Sequence, residues 1–468
     1  MQFITTQPAH RQEIPKMNES KKHLSRRSFL GKTAAAGAVA AGPYFVSARA
    51  LGMGGQPAAS DRLNIGLIGA GLMGTGNLNN CAKYDDVVVT AVCDVWKSHL
   101  DAVVDRFKDT AKPYHDYRQM LEQDDLDGVI IATPPHWHAL MAIHACEAKK
   151  DFYLQKPMTL YPGEGVALKG AVEKHGVISQ IGTQIHAGDN YRRVVEQVRS
   201  GNLGKIPVVR TFVSYNQGPE GWGNVPDSQP PEGLDWDLWL GPAPARSYNE
   251  ILAKSAAYTA SFMDYSGGQT PGMAPHIVDL PYWALGLDYP TNVASCGGRY
   301  VLRDCGDIPD TQEVLWQYPE LTMTWFAQVT NSYGFDFHGD PVIRRRLGIY
   351  FHGVNGTLFS DYSNHKIVPE GDRMRDAKTP PQSIPPSPGH EREWLDAIKS
   401  RQQPSCHVGY HVKMDVAFTL ANLSLKLGRS IAFDPETEQI VDDPEASRLA
   451  VPEYRDSWTF PKQYLPVS

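Results

Sequence analysis

The chain has 468 residues, 41% of them hydrophobic and 21% charged, with a formal net charge of -7. That length suits two domains with sizeable cores, and the composition excludes a disordered or fibrous chain. The acidic balance, with no long basic block beyond the extreme N-terminus, argues against a nucleic-acid surface. Six cysteines are scattered without a CxxC pair, so they read as small buried side chains rather than a disulfide framework or a metal site.

Lys21, Lys22, Arg26 and Arg27 precede an apolar, alanine-rich stretch from Thr33 to Val46, and Ala48-Arg49-Ala50 then offers a small-x-small cleavage site. This tripartite pattern reads as a targeting segment over residues 1–50, too short and too weakly apolar for a stable span. Ser25-Arg26-Arg27-Ser28-Phe29-Leu30 resembles the twin-arginine export signal. The expectation is a periplasmic or otherwise exported protein that uses the twin-arginine translocation machinery and keeps no membrane span after processing. A flexible tail with an amphipathic anchor is the alternative.

Residues 61–182 read as a dinucleotide-binding domain. Leu63-Asn64-Ile65-Gly66-Leu67-Ile68 is a buried parallel strand by its apolar run. It leads into Gly69-Ala70-Gly71-Leu72-Met73-Gly74, where Gly69 permits the tight turn, Gly71 lets backbone approach a pyrophosphate and Gly74 lets the helix sit against the sheet. Free N–H groups of that helix would hold the phosphates, with Leu72 and Met73 beside them. A second strand, Val87 to Cys93, ends in Asp94, 25 residues after Gly69. A carboxylate there accepts hydrogen bonds from ribose hydroxyls and repels a 2′-phosphate, which favours NAD over NADP; Lys97 pulls the other way. Further units follow: a strand over Leu126 to Thr133, a helix over Ala139 to Ala148 and a strand over Asp151 to Leu154. The loop Thr133-Pro134-Pro135-His136-Trp137-His138 falls on the ligand-binding edge. Its HxH pair lacks a carboxylate or cysteine partner for a metal, so packing around the nicotinamide, which makes Thr133, Pro134 and His138 cofactor-binding candidates, or helix capping is expected. Lys156 ends a strand on the same edge, where ligands of open α/β sheets collect, though solvated strand-end lysines are common.

Residues 183–468 carry a different pattern. A helix is expected over Asn190 to Arg199, then alternating strands over Val208 to Tyr215, Val293 to Tyr300, Gln312 to Tyr318 and Thr322 to Asn331. They predict a mostly antiparallel, open-faced sheet in an α/β domain. Trp222, Trp236, Trp239 and Tyr248 lie between them and suit either a core or stacking against sugar rings. Asp264 to Asp279 is the catalytic candidate: tandem glycines precede an apolar helix, and His276 and Asp279 lie one turn apart. Asp279 either orients His276 as a general base or fixes a structural histidine. Helices are expected over Glu391 to Lys399 and Val412 to Leu427, and the tail from Phe433 to Trp458 should wrap the surface or a partner subunit.

The motifs together resemble the Gfo/Idh/MocA family, the glucose–fructose oxidoreductase and inositol dehydrogenase group. The resemblance rests on Gly69 to Gly74, Asp94, Thr133 to His138, Lys156-Pro157, Trp236 to Pro242, Tyr265 to Asp279 and Trp394, and covers roughly Leu63 to the end. It implies hydride exchange between a nicotinamide and a secondary alcohol of a sugar or cyclitol, with Lys156 holding the reacting hydroxyl and His276 accepting its proton. His186, Tyr191, Trp236, Tyr265 and His276 are then substrate-binding candidates, and a homo-oligomer paired through the open sheet face is expected.

Two positions depart from the family pattern. Gln155 replaces the glutamate before Lys-Pro, and Gly272 replaces the aspartate four residues before the histidine. Export of folded protein into a compartment without free nicotinamide implies a tightly held NAD regenerated within each cycle. Transient ring oxidation that cleaves a glycoside, and a non-catalytic exported sugar-binding role, are the alternatives.

Overall fold

The computed structural model describes residues 57–332 and 346–466; the expected export segment lies outside them. The apolar run Leu63–Ile68 forms β1, buried at five of its six positions, as a strand covered on both faces must be. It pairs in parallel with β2 (Val87–Cys93) and β4 (Gly128–Ile131). With β3 (Lys112–Tyr114), β5 (Asp151–Leu154) and β6 (Ser179–Ile181) these make a six-stranded parallel sheet of order β3-β2-β1-β4-β5-β6. The order reverses between β1 and β4, so the turns after these strands open into one crevice at the carboxyl edge. Helices α1 (Leu72–Ala82), α2 (His138–Glu147) and α3 (Pro162–His175) follow β1, β4 and β5.

After α4 (Asp189–Arg199) the chain builds the second sheet from β7 (Val208–Ser214), β8 (Asn292–Gly298), β9 (Thr311–Gln317), β10 (Thr322–Gln328), β11 (Leu347–His352), β12 (Gly356–Ser360), β13 (His365–Pro369), β14 (Ile431–Asp434) and β15 (Gln439–Ile440). The order is β13-β12-β11-β7-β10-β9-β8-β14-β15, antiparallel except for β7 against β10. Between β7 and β8 lie the short helix α5 (Gln269–Met273) and α6 (Pro275–Leu285), and the chain later adds α7 (His390–Ser400) and α8 (Val408–Leu427). The sheet's inner face packs on these helices: Trp316 of β9 is buried and its indole N–H donates to the Ala417 carbonyl of α8 (2.9 Å). Alternate residues Glu313, Leu315 and Gln317 face outward and are exposed.

The expected two-domain α/β architecture is therefore the observed one. Strands end one to three residues earlier than the apolar pattern suggests, because Thr133 and Asn331 belong to the loops that leave the sheet. α8 starts at Val408, before the expected Val412, since Gly409 dilutes the helical signal of its first turn. Helix α7 returns to the first sheet, where Trp394, Leu395 and Ile398 join Leu63, Ile65 and Leu67 in one core. The tail lies on the chain's own surface: Tyr454 Oη donates to Glu164 (2.7 Å) and Tyr464 Oη to Glu147 (2.9 Å). All six cysteines are unbridged; Cys81, Cys93, Cys146 and Cys406 are buried as expected, whereas Cys296 on β8 is exposed. Among the described residues, no helix is long and apolar enough to cross a membrane.

Candidate active site at the carboxyl edge of the parallel sheet

The glycine turn is built as its spacing requires. Gly69 has φ of +92°, and a Cβ there would stand 2.7 Å from the Ala132 carbonyl oxygen. A Cβ on Gly74 would sit 2.0 Å from the Gly69 oxygen, so only glycine lets α1 start this close to β1. Gly71 is different: a Cβ there meets no protein atom within 4 Å, so the space beside this N-cap of α1 is open to an approaching ligand. Leu72 and Met73 stand exposed beside it.

Asp94 closes the cradle. Its Oδ2 accepts from the Ala70 N–H (2.7 Å) and its Oδ1 from the Trp96 N–H (2.7 Å), so the carboxylate is locked to the turn with lone pairs left for ribose hydroxyls. Burial raises its pKa while the two N–H donors oppose that. Lys97 does not turn toward it; its ammonium pairs with Asp101 (2.7 Å). These residues fit NAD: a buried carboxylate at this position repels a 2′-phosphate, and Lys97 is engaged by Asp101.

The loop after β4 is a brace. His138 is buried, with Nδ1 against the Pro157 carbonyl (2.6 Å) and Nε2 against the Thr133 carbonyl (2.9 Å). It ties the end of β4 to the loop that carries Lys156, and burial lowers its pKa to about 4. Thr133 turns its hydroxyl to Met141, and Pro134 caps the short helical turn Pro135–Trp137. His136 reaches the Trp239 carbonyl (2.9 Å) and Trp137 the Leu238 carbonyl (3.1 Å), clamping this loop to the tryptophan segment of the second domain.

Lys156 Nζ donates to the carbonyl oxygen of Gly272 (3.1 Å) across the two domains. Its own N–H donates to Gln155 Oε1 (3.3 Å), whose amide donates to Asn77 (2.7 Å), which in turn donates to Glu391 (2.8 Å). The chain of hydrogen bonds from Gln155 thus ends on a carboxylate of α7, two side chains away. Burial lowers the Lys156 pKa to about 8, and the nearby Arg346 guanidinium pushes the same way.

His276 lies in the first turn of α6, its Nδ1 against the hydroxyl of Tyr362 from the turn between β12 and β13. Buried Tyr191 donates to the His276 carbonyl (3.2 Å) and fixes that turn. Burial lowers the imidazole pKa to about 3, with Lys156 and Arg346 adding to the effect. The neutral ring is therefore the resting form.

The expected partnership of His276 with Asp279 is corrected. Asp279 is fully buried and accepts from His186 Nε2 (3.0 Å) and Tyr410, with Cys406 Sγ at 3.7 Å. The 60° offset between positions three apart on a helix turns Asp279 into the core while His276 faces the cleft. His186 is likewise structural: its Nδ1 meets Ser405 (2.9 Å) and its ring stacks on Trp283 at 4.0 Å. His186, Asp279 and Cys406 bring ligand atoms within 4.8 Å of one another, but hydrogen bonds among themselves and with Tyr410 already engage them. Trp236 and Tyr265 pack in a separate cluster, their polar tips donating to the Arg246 and Pro244 carbonyls (both 2.7 Å). No hydrogen bond or ring contact joins them to Lys156 or His276 among the described residues.

Three side chains of the cleft carried no signal in the sequence. Tyr362 sits in a hairpin turn. Arg346 immediately precedes β11, its guanidinium 4.9 Å from the ring centre of Tyr215, whose hydroxyl donates to Gln269 on α5 (2.5 Å). Pairing of β11 with β7 brings Arg346 and Tyr215 together, and no local pattern reports that pairing.

A dinucleotide cradle at the switch point of a parallel sheet, with an amine and an imidazole converging on the same cleft, defines an NAD-binding oxidoreductase. The chain belongs to the Gfo/Idh/MocA oxidoreductase family: the family's NAD-binding Rossmann model matches residues 63–183 and its C-terminal alpha/beta domain model residues 191–296 and 342–460. It is 30% identical to the uncharacterized oxidoreductase YrbE of Bacillus subtilis over 41% of this chain and 57% of that protein. It is also 30% identical to a glycosyl hydrolase family 109 protein of Shewanella woodyi, over 31% of this chain and 32% of that one. The chain thus spans between a third and three-fifths of these relatives' lengths. In fold it is similar to the WlbA dehydrogenase of Bordetella pertussis in complex with NADH and UDP-GlcNAcA, with a TM-score of 0.58, 18% identity, and 80% and 99% of the two chains covered.

Proposed function

We propose that the protein exchanges hydride between bound NAD and a secondary alcohol of a sugar or cyclitol. The observation that carries this is the bond from Lys156, at the carboxyl edge of the sheet that holds the cradle, to the Gly272 carbonyl four residues before His276. NAD supplies the hydride acceptor. Lys156 donates a hydrogen bond to the alcohol oxygen and stabilises the negative charge that grows there. His276 takes the hydroxyl proton at Nε2, in the tautomer whose Nδ1–H is donated to Tyr362. The alcohol carbon loses a hydride, the oxygen loses a proton, and a ketone remains. Asp279 and His186 support this cleft from the core without touching the reacting atoms.

The basic, apolar and small-residue pattern of residues 1–50 supports twin-arginine export, with folded protein carrying NAD out and the cofactor regenerated by a second sugar. Glycosyl hydrolase family 109 relatives favour one second reading, transient ring oxidation that labilises a glycosidic bond. Protein purified without added nucleotide is expected to carry NAD, and its reduced-nicotinamide absorbance to rise with one sugar and fall again with a keto-sugar. Release of aglycone from a glycoside without net reduction selects the second reading. Nucleotide-free protein that binds NAD weakly and responds to no sugar overturns both.

A further inference from the structure

We propose that the substrate carries an anionic group, a uronate carboxylate or a sugar phosphate, and that Arg346 receives it. This rests on the hydride-exchange reading and names its substrate class. The cleft holds two fixed cations, Lys156 and Arg346. Lys156 Nζ meets a neutral carbonyl, and Arg346 makes no ion pair or side-chain hydrogen bond among the described residues. Among the described residues, Arg346 disfavours the charged form of Lys156, and Lys156 and Arg346 together disfavour the charged form of His276. Geometry ties Arg346 to the cleft: its guanidinium lies 4.9 Å from the ring centre of Tyr215, whose hydroxyl donates to Gln269 on α5, the helix whose Gly272 carbonyl receives Lys156.

The backbone leaves room for neutralisation from within that the chain does not use. A Cβ at Gly272 would meet nothing within 4 Å, and Gly272 is not in the left-handed region, so a carboxylate side chain would fit beside Lys156. With glycine there, this position offers Lys156 no carboxylate, and an anion on the ligand supplies the counter-charge. Arg346 suits that role: it is exposed, Tyr215 supports one face of the guanidinium, and its planar edge of donors matches a carboxylate or phosphate bidentately. Tyr215 is itself held by Gln269 on α5, the short helix that presents the Gly272 carbonyl to Lys156. Arginine and lysine are therefore registered on one element, at a fixed separation for a ligand with an anion at one end and a hydroxyl at the other.

The arrangement also couples recognition to chemistry. An anion on Arg346 favours the protonated forms of Lys156 and His276 and so raises both pKa values. His276, a feeble base in the free protein, then gains proton affinity when the right substrate is in place.

The test measures kcat/KM on the NAD-loaded protein for glucuronate against glucose, galacturonate against galactose, and glucose 6-phosphate. One anionic sugar is expected to exceed its neutral parent about ten- to hundredfold, the scale of a charge-assisted bidentate contact, and to lose that advantage as salt rises. R346Q should abolish the preference, R346K retain part of it, and G272D shift it toward the neutral sugar. Neutral parents used as well as their acids, or a preference that survives R346Q, overturns the proposal; phosphate preferred over both uronates identifies the anion. Should no sugar change the nicotinamide band, the hydride-exchange reading fails separately. Calorimetry then decides the anion site: glucuronate or glucose 6-phosphate bound by the parent protein and not by R346Q supports it, and equal or absent binding overturns it.

Discussion

Lys156 and His276 work from opposite ends of the pH scale. The lysine must be charged to stabilise an alkoxide, and burial together with Arg346 brings its pKa down to about 8. The histidine must be neutral to accept a proton, which holds above about pH 3. Activity is therefore expected to fall as pH rises through 8, with no acid limb from His276 near neutrality. Removing the positive neighbour in R346Q favours the ammonium form, so the alkaline limb should move to higher pH; a limb that stays in place refutes the electrostatic link. Tyr362 is a positioning residue: its hydroxyl holds His276 Nδ1, and in the tautomer that leaves Nε2 free as a base it is the acceptor. Y362F should lower kcat about tenfold with little change in KM, because proton transfer rather than binding is weakened; equal loss in both would mark a binding contact instead. Some of this was legible in the residues themselves. Gly69, Gly74 and Asp94 do what their spacing announces, because a glycine turn needs only local geometry. Asp279 was misassigned because a three-residue spacing says that two side chains are near, not which of them faces the core.

Elements impose a second set of constraints, visible where α8 meets the loop before α3. Asp415 of α8 is fully buried, accepts the Thr159 N–H (3.1 Å) and hydroxyl (2.5 Å), and has its pKa raised to about 7 by burial, with Glu164 adding to it. Glu164 is itself raised to about 7, chiefly by burial. A carboxyl raised in the folded state contributes stability that is present below its unfolded pKa near 4 and is lost as pH rises through the folded value. The protein is thus expected to lose stability between about pH 4 and 7, on the order of a few kcal/mol from this pair. D415N retains the geometry: the amide oxygen accepts the Thr159 N–H, and the amide nitrogen donates to a hydroxyl that still faces the Tyr161 carbonyl (3.3 Å). Its melting temperature should match the parent's at pH 4 and exceed it at pH 9. A variant destabilised equally at both values would show that the ionised form is the one the fold prefers. The sequence showed α8 as an apolar helix but not this contact, whose partners lie 256 residues apart. The same distance problem hid β11 to β13, although the Val354-Asn355-Gly356 turn between apolar runs marks the β11–β12 hairpin.

At the scale of the whole molecule, the open question for assembly is the outer face of the second sheet. β9 alternates strictly, burying Gln312, Val314 and Trp316 and turning Thr311, Glu313, Leu315 and Gln317 outward. Leu315 is 45% exposed near the centre of that strand, and Tyr300 and Val301, just past β8, are 73% and 40% exposed. Isolated exposed apolar side chains are ordinary, but Leu315 on the outer face, with Tyr300 and Val301 exposed just past β8, suits pairing with a second copy, the arrangement the family resemblance implies. In a two-fold dimer each contact occurs twice, so covering the exposed part of Leu315 contributes about 1 kcal/mol per protomer, felt twice. L315R should therefore convert the oligomer to monomers in light scattering while far-UV dichroism and bound NAD are retained, because the side chain lies on the face away from α8 and the cleft. An L315R protein with the parent's mass places the interface elsewhere, and a monomeric parent removes the oligomer altogether. If monomers keep full activity, the site is complete within one chain, as the origin of Lys156, His276, Tyr362 and Arg346 from a single copy requires.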